Sequence, residues 1–171
     1  DIPVLYCADF YVWDDHGGIL APCRHLSEPF SIVKSIVNGD SRFGFTQVLN
    51  PAMRRLALRY MQTKPELTQY SHDMWCHLLG VCFGELIYDK SCVARYRRYG
   101  NNASTQELHG GSMFSHRLWQ IRQFLLGSNG KLFREDVRHF MEIYKADLTQ
   151  TTLEVFELFN YIAFPNISKK I

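Results

Sequence analysis

Residues 71–88, SHDMWCHLLGVCFGELIY, decide the fold class of this chain. Positions 74–83 are apolar nearly all round, which predicts a helix that is buried on every side and ends at Gly84. Positions 85–88 then predict a strand. A buried helix that leads directly into a strand is typical of an α/β fold, and we expect this helix to lie under a sheet.

Segments on both sides of this stretch extend the same pattern. Apolar runs predict buried strands at 4–10, 43–49 and 92–96, the first with Asp9 at its carboxyl end. Helices are predicted at 28–37 and, behind an Asn50-Pro51 cap, from Pro51 to about Met61. Three amphipathic segments follow, at 114–126, 134–147 and 149–163. Residues 1–105 are therefore predicted to be α/β, and residues 106–171 to be a helical extension.

Composition excludes several classes of protein. The chain has 171 residues, of which 46% are hydrophobic and 21% charged, as in a globular domain and unlike a disordered segment. A formal net charge of +2 does not predict a nucleic-acid partner. Five cysteines, an odd number without C-x-x-C spacing, predict reduced thiols rather than a disulfide framework.

Ser71, His72 and Asp73 are the first candidate functional residues. A carboxylate in the first turn of a buried helix lies at the rim of the core, near the positive end of the helix dipole, where it can act as a general base. The simpler alternative is that Ser71 or Asp73 only caps the helix. His77 shares a helix face with Asp73, but no third ligand follows at a recognised spacing, so we predict no metal site here.

Two further features have both functional and structural interpretations. Asp9 at a strand end is where α/β sheets place ligand-binding groups, but it can equally cap a turn. Positions 95–99, RYRRY, interleave bases and rings, which suits phosphate contacts. Alternation along an edge strand explains the same pattern, because it puts Arg95 and Arg97 on one face.

Several motifs, taken together, resemble one family. They are CAD at 7–9 with DDHG at 14–17, GFTQVLN at 44–50, HDMW at 72–75, FGELIY at 83–88 and YRRYGNN at 96–102. Their order is similar to the C-terminal half of bacterial family 2 glycosyltransferases of the GT-A fold, in particular the rhamnosyltransferase-like members. Those enzymes carry G-C-T-x-x-F-N, H-D-W-W, F-G-K-I-x-Y and Y-R-Q-H-G-N-N in this order. The resemblance implies that residues 1–105 are the acceptor-side half of a GT-A catalytic domain.

The resemblance also implies a role for individual residues. Asp73 matches the general base that takes the proton from the acceptor hydroxyl in an inverting transfer. The implied acceptor-binding residues are Gly44, Thr46, His72, Trp75 and Asp9. The implied loop over the donor diphosphate contains Arg97, Arg98, Tyr99 and Asn101. Tyr99 replaces a family histidine that can help to hold a divalent metal, and Met74 replaces the first tryptophan of H-D-W-W.

The same resemblance implies partners, some of which are expected to bind mainly to residues outside this sequence. The donor-binding strands and the D-x-D motif of the family precede the position of Asp1, so we expect an acceptor-side piece that does not turn over a nucleotide sugar alone. Mg²⁺ or Mn²⁺ is expected in the complete enzyme, with ligands mostly outside this chain. The expected substrates are a nucleotide-sugar donor and a glycan or lipid-linked acceptor in surface polysaccharide synthesis.

The expected location is the cytoplasm, at the inner face of the membrane if the acceptor is lipid-linked. Lys169 and Lys170 are candidates for peripheral membrane contact, and the helical extension is a candidate surface for self-association. Two alternatives stay open. The chain is a non-catalytic binding or scaffold domain derived from a transferase, or it has an unrelated α/β fold.

Overall fold

The computed structural model describes residues 1–13, 16, 18–23, 25–26, 28–38, 44–63, 71–97 and 128–163. Within these ranges the chain has a mixed α/β fold, which confirms the α/β class, whereas the GT-A fold stays a prediction. The predicted boundary at residue 105 and the predicted helix at 114–126 lie outside the described residues.

A small mixed sheet forms one layer of the fold. Strand β1 (Val4–Trp13) is its middle strand. Strand β4 (Glu85–Arg97) pairs with β1 in parallel along its whole length. The other edge of β1 is shared by two short antiparallel strands, β2 (Ile19–Pro22) at one end and β3 (Gln47–Leu49) at the other. The sheet of the described residues is therefore mixed and at most three strands wide.

Three strand predictions need correction. The strand that was expected to end at residue 10 continues to Trp13, so Asp9 lies inside β1 rather than at its end. The strands predicted at 85–88 and 92–96 are one strand, β4. Register shifts opposite Asp9 accommodate residues 89–91, so β4 stays paired with β1 through this stretch. Of the strand predicted at 43–49, only Gln47–Leu49 is extended, and Gly44–Thr46 forms a 3₁₀ turn.

Three helices lie between the strands. Helix α1 (Ile32–Asn38) begins four residues later than predicted. Helix α2 (Pro51–Thr63) begins as predicted, because the Asn50 side-chain oxygen accepts the Met53 N–H at 2.8 Å. The same oxygen accepts the Val4 N–H at 3.1 Å, so one asparagine joins the start of α2 to the start of β1.

Helix α3 (His72–Phe83) is the buried helix that the sequence predicts. Its residues from Trp75 to Gly80 are all buried. Gly84 ends α3, and a Cβ atom there would lie 2.0 Å from the Pro3 carbonyl oxygen. Glycine is therefore needed where the chain turns from α3 into β4 beside the start of β1.

Two helices follow the described part of the sheet, α4 (Ser128–Tyr144) and α5 (Gln150–Ala163), joined by a 3₁₀ turn at Lys145–Asp147. They correspond to the segments predicted at 134–147 and 149–163. Their apolar side chains join those of the sheet and of α1 to α3 in one core. Its most buried members include Leu5, Met53, Trp75, Phe140 and Phe156. The helical extension therefore shares the core of the α/β part.

The five cysteines are all free, which confirms the prediction of reduced thiols. Burial raises the pKa of the Cys76 thiol from 9.0 to about 11, and it raises the pKa of Cys82 further. Both thiols stay protonated near neutral pH, as expected of core residues. None of the described helices has the length and apolar character that crossing a membrane requires.

Candidate functional site

Asp73 lies in the first turn of α3, and only 7% of it is exposed. Its Oδ1 accepts the Ser71 hydroxyl, and also the Met74 N–H at 3.1 Å. Its Oδ2 accepts no hydrogen bond from the described part of the chain. One carboxylate oxygen is thus fixed by the helix start, and the other keeps its capacity to accept a proton or a hydrogen bond.

The glycine-containing segment at 44–46 and the residue that follows it lie against the start of α3. A Cβ on Gly44 would lie 2.4 Å from Nε2 of His72, so only glycine allows the imidazole to approach this closely. Gln47, three residues later, donates its side-chain N–H to the Asp73 carbonyl at 3.0 Å. Residues that are 26 to 28 positions apart in the sequence therefore meet at one place. We call Gly44, Ser71, His72 and Asp73 the Asp73 cluster.

Two predicted acceptor-binding residues lie deeper than expected. Thr46 is 4% exposed, and Trp75 is 1% exposed. The Trp75 ring stacks on Tyr60, with centroids 4.0 Å apart, and on Phe140 at 5.3 Å. Trp75 is therefore a core residue, because it joins α3 to α2 and α4. Its acceptor contact stays a prediction.

A small apolar pocket adjoins the Asp73 cluster. Its volume is about 230 Å³, and its wall is formed by Ala57, Tyr60, His72, Trp75 and Cys76. His72 is the residue that belongs both to this wall and to the Asp73 cluster. The otherwise buried Trp75 also contributes to the wall of this pocket.

A second polar cluster surrounds Asp9, which is fully buried inside β1. The Tyr88 hydroxyl, from the parallel neighbour β4, lies 2.8 Å from both carboxylate oxygens of Asp9. The Nδ1 atom of His25 also contacts Asp9 Oδ2. We call Asp9, His25 and Tyr88 the Asp9 cluster. Asp9 was predicted to bind the acceptor directly, but its burial leaves His25, which is 58% exposed, as the member that faces solvent.

Helix α3 and strand β1 bring the two clusters to the same part of the sheet, near the middle of β1. The C-terminus of α3 leads into Glu85, which pairs with Val4 at the start of β1. The 12 residues of α3 span about 18 Å, at 1.5 Å per residue. The stretch of β1 from Val4 to Asp9 spans about 17 Å. Gln47 pairs with Cys7 and also donates to the Asp73 carbonyl, so the N-terminus of α3 lies beside the part of β1 around Cys7, two residues before Asp9.

Two contacts support this arrangement. Gln47 pairs with Cys7 in antiparallel register, so Gly44 lies alongside the residues that follow Cys7 in β1. The Phe30 ring lies 5.7 Å from the His77 ring of α3 and 5.8 Å from the Tyr88 ring of β4. Since Tyr88 donates to Asp9, the Phe30 ring links α3 to the Asp9 cluster on the face of the sheet that the helices cover.

Sequence reasoning missed His25 and Tyr88. Tyr88 was read as part of a strand and of the FGELIY motif without a role of its own, and His25 lies in no pattern that marks a site. A tyrosine two residues beyond Leu86 on a strand face is compatible with an ordinary core position. The one available signal was Asp9 itself, because a carboxylate within an apolar run needs hydrogen-bond donors from elsewhere in the chain.

The predicted donor-diphosphate loop is described only in part. Arg97 is exposed and ends β4, whereas Arg98, Tyr99 and Asn101 lie outside the described residues. Arg95 and Arg97 are both exposed, as alternation along a strand predicts. The Arg95 guanidinium lies 4.3 Å above the Trp13 ring, so its nearest described partner is an aromatic face.

The described residues do not form a metal site. Across the ranges given above, no three His, Cys, Asp or Glu side chains come together in a way that would hold an ion. The Asp73 cluster offers one carboxylate and one imidazole, and a hard divalent cation requires more oxygen ligands than this. The expected Mg²⁺ or Mn²⁺ therefore does not fit these residues alone, and the chemistry considered below uses none.

Comparison with known proteins gives no match. No protein-family model matches the chain, and neither a curated protein nor a solved structure does. The function proposed below therefore rests on the residues of the chain and on their geometry.

Proposed function

We propose that this chain is the acceptor-side half of an inverting sugar transferase of the GT-A type, with Asp73 as the general base. The observation that carries the proposal is the meeting of Gly44 and Gln47 with His72 and Asp73. These two segments correspond to separate motifs of the family that the sequence resembles. Their contact builds a rim around a carboxylate that has one oxygen fixed by the protein and one left for a ligand.

The chemistry needs little from this half of the enzyme. The acceptor hydroxyl attacks the anomeric carbon of the donor sugar, the bond from that carbon to the nucleotide diphosphate breaks, and the diphosphate leaves with the bonding electrons. Asp73 takes the proton that the hydroxyl loses. A fixed carboxylate at a helix start suits this task, because its position does not have to be found anew in each cycle.

Other parts of the proposal concern partners. The donor is a nucleotide sugar, held mainly by residues outside this chain, with Arg97 contacting the diphosphate. The acceptor is a glycan or a lipid-linked saccharide, which would put the reaction in the cytoplasm at the inner face of the membrane. The helical extension supports the catalytic half through the shared core, where Trp75 stacks on Phe140.

The first test is saccharide binding by the 171-residue chain. The probes are methyl glycosides of rhamnose, glucose, galactose and N-acetylglucosamine, titrated in the millimolar range with affinity measured by NMR. The variant Asp73→Asn should weaken the best of them about ten- to hundredfold, because a hydrogen bond to a charged acceptor is lost. Asp89→Asn is the matched control, and it should bind as the wild type does. Equal affinity in Asp73→Asn would remove Asp73 from the site.

The second test is sugar transfer by the same chain. With nucleotide sugars and the best-binding glycoside supplied together, we expect binding but no transfer product, detected by mass spectrometry. A product would show that this chain does not need a separate donor-binding half. If the donor-binding half is added and saccharide binding is still not followed by transfer, the alternative of a non-catalytic binding domain becomes the better account.

A further inference from the structure

The Asp9 carboxylate sets the direction of every hydrogen bond in its cluster. A carboxylate without exposure to water needs donors, and an ionised one can only accept. The Tyr88 oxygen accepts the Leu26 N–H at 3.0 Å, so its single proton is directed to Asp9. When Asp9 is ionised, the proton of the contact between Asp9 and His25 lies on Nδ1 of His25, because a carboxylate can only accept.

A fixed Nδ1 proton has a consequence at the other side of the ring. In a neutral imidazole only one nitrogen carries a proton, so Nε2 of His25 then has a free lone pair. The buried carboxylate holds both the tautomer and the orientation of the ring, as carboxylates do behind functional histidines in other proteins. The ring is 58% exposed, so this prepared acceptor is open to a ligand.

The position of His25 relative to Asp73 suggests which ligand. His25 contacts Asp9 in β1, and Gln47, which pairs with Cys7 in β1, contacts the Asp73 carbonyl at the start of α3. Asp73 Oδ2 and His25 Nε2 are both hydrogen-bond acceptors, and a pyranoside presents several hydroxyl donors around its ring. Two hydrogen-bond acceptors on the same part of the sheet match a molecule with neighbouring hydroxyl groups better than they match an anion.

We propose that His25 is a second saccharide-contacting residue, whose Nε2 accepts a hydrogen bond from an acceptor hydroxyl. Asp9 and Tyr88 are positioning residues that act through the His25 ring. This inference rests on the proposed function, since it assumes that the ligand at Asp73 is a saccharide. It adds a specificity-determining contact that requires a hydroxyl donor near the one that reacts.

The first experiment tests the tautomer in the free chain. Nitrogen-15 NMR of the His25 ring should show the proton on Nδ1 in the wild type. In Asp9→Asn the population with the proton on Nε2 should rise, and a merely structural role of Asp9 would not change it. Tyr88→Phe keeps the Asp9 carboxylate, so it should leave the proton on Nδ1. Tyr6→Phe is the matched control for Tyr88→Phe, because Tyr6 donates to Asp89 on the opposite face of the sheet. A wild-type ring protonated on Nε2 would overturn the inference.

The second experiment tests the contact itself with the glycoside panel described above. His25→Ala should weaken the best glycoside about fivefold, as expected for one neutral hydrogen bond. His16→Ala, which removes another exposed histidine, should leave the affinity unchanged. If the glycoside shifts the NMR signals of the Asp73 cluster and His25→Ala still binds it with unchanged affinity, the role of His25 is refuted and the proposed function is kept. Absence of binding by every glycoside would refute both.

Discussion

Two tyrosine–aspartate hydrogen bonds join β1 to β4, one on each face of the sheet. On the face that α3 covers, Tyr88 of β4 donates to Asp9 of β1. On the opposite face Tyr6 of β1 donates to Asp89 of β4. We call this second side the open face, because Tyr6, Ile87 and Asp89 are partly or largely exposed there. Each hydrogen bond has an oxygen–oxygen distance of 2.8 Å. The two pairs share residue types, strands and geometry, and they differ in what surrounds them.

Burial separates the two pairs. Asp9 is fully buried, so the protein must supply donors in place of water, and it does so from Tyr88 and His25. Asp89 is partly exposed and needs less, although the Ser91 N–H also donates to it at 2.7 Å. Loss of the same hydrogen bond should therefore cost more stability at Asp9 than at Asp89. Candidate functional residues gather on the face where the protein has fixed the polar groups.

The largest difference between the two sides should come from aromatic side chains. Trp75→Ala opens a cavity between Tyr60 and Phe140 and should lower the free energy of unfolding by about 3–5 kcal/mol. Phe45 stacks on Tyr96 on the open face, with centroids 5.5 Å apart, but is 52% exposed. Phe45→Ala should cost about 1 kcal/mol. Denaturant unfolding measures both, and equal losses would mean that the core is not centred where the structure puts it.

The next difference should come from the two tyrosines. Tyr88→Phe leaves the buried Asp9 carboxylate one donor short and should cost about 1.5–3 kcal/mol, as for a hydrogen bond to a charged group. Tyr6→Phe removes the same hydroxyl from a partner that water can reach, so we expect little change in stability. Denaturant unfolding of both variants under one condition gives the comparison. A larger loss for Tyr6→Phe would reverse the assignment of the two faces.

The smallest effect concerns the titration of the open-face pair. Hydrogen bonds from Ser91, and then from Tyr6, lower the pKa of Asp89 below 3.8. A lowered pKa stabilises the fold above the unfolded value, and this stabilisation is lost as the pH falls through the folded value. Tyr6→Phe should move the pKa of Asp89 upward but not fully to 3.8, because the Ser91 contacts remain. A carbon-13 NMR titration of Asp89 measures this, and an unchanged pKa would mean that the Tyr6 bond is absent in solution.

The opposite partner titrates at the other end of the pH range. The hydrogen bond with Asp89 raises the pKa of Tyr6 above 10.0, with smaller contributions from burial and from the Asp89 charge. A raised pKa stabilises the fold below the unfolded value, and the stabilisation is lost as the pH rises through the folded value. The open-face pair therefore contributes to stability between about pH 4 and pH 10 and loses its contribution on either side.

Local chemistry allowed much of the fold to be predicted. The Asn50-Pro51 cap, the apolar helix ending at Gly84 and the free cysteines depend on residues close in sequence or on composition. Asp9 was misplaced for the opposite reason. A carboxylate in an apolar run was taken as the end of the strand. The strand continues because Tyr88 and His25, 79 and 16 positions away, form hydrogen bonds to the buried carboxylate.

The same distinction applies to the candidate site. The motifs placed Gly44, His72 and Asp73 in one implied site, but the close approach of His72 that requires glycine at position 44 is visible only in three dimensions. The polar residues at 89–91 suggested a break between two strands, and shifts of register against β1 remove it. Burial of Thr46 and Trp75 depends on packing by several elements, which no local pattern encodes.

The most direct test of the account is a residue-resolved NMR map of glycoside binding. Saturating the wild-type chain with the best glycoside should perturb the signals of 44–47 and 71–76 and the ring of His25. The open-face residues Tyr6, Ile87 and Asp89 should stay unchanged. Shifts of NMR signals centred on those open-face residues, or none at the Asp73 cluster, would contradict the claim that the acceptor binds on the face of the sheet that the helices cover.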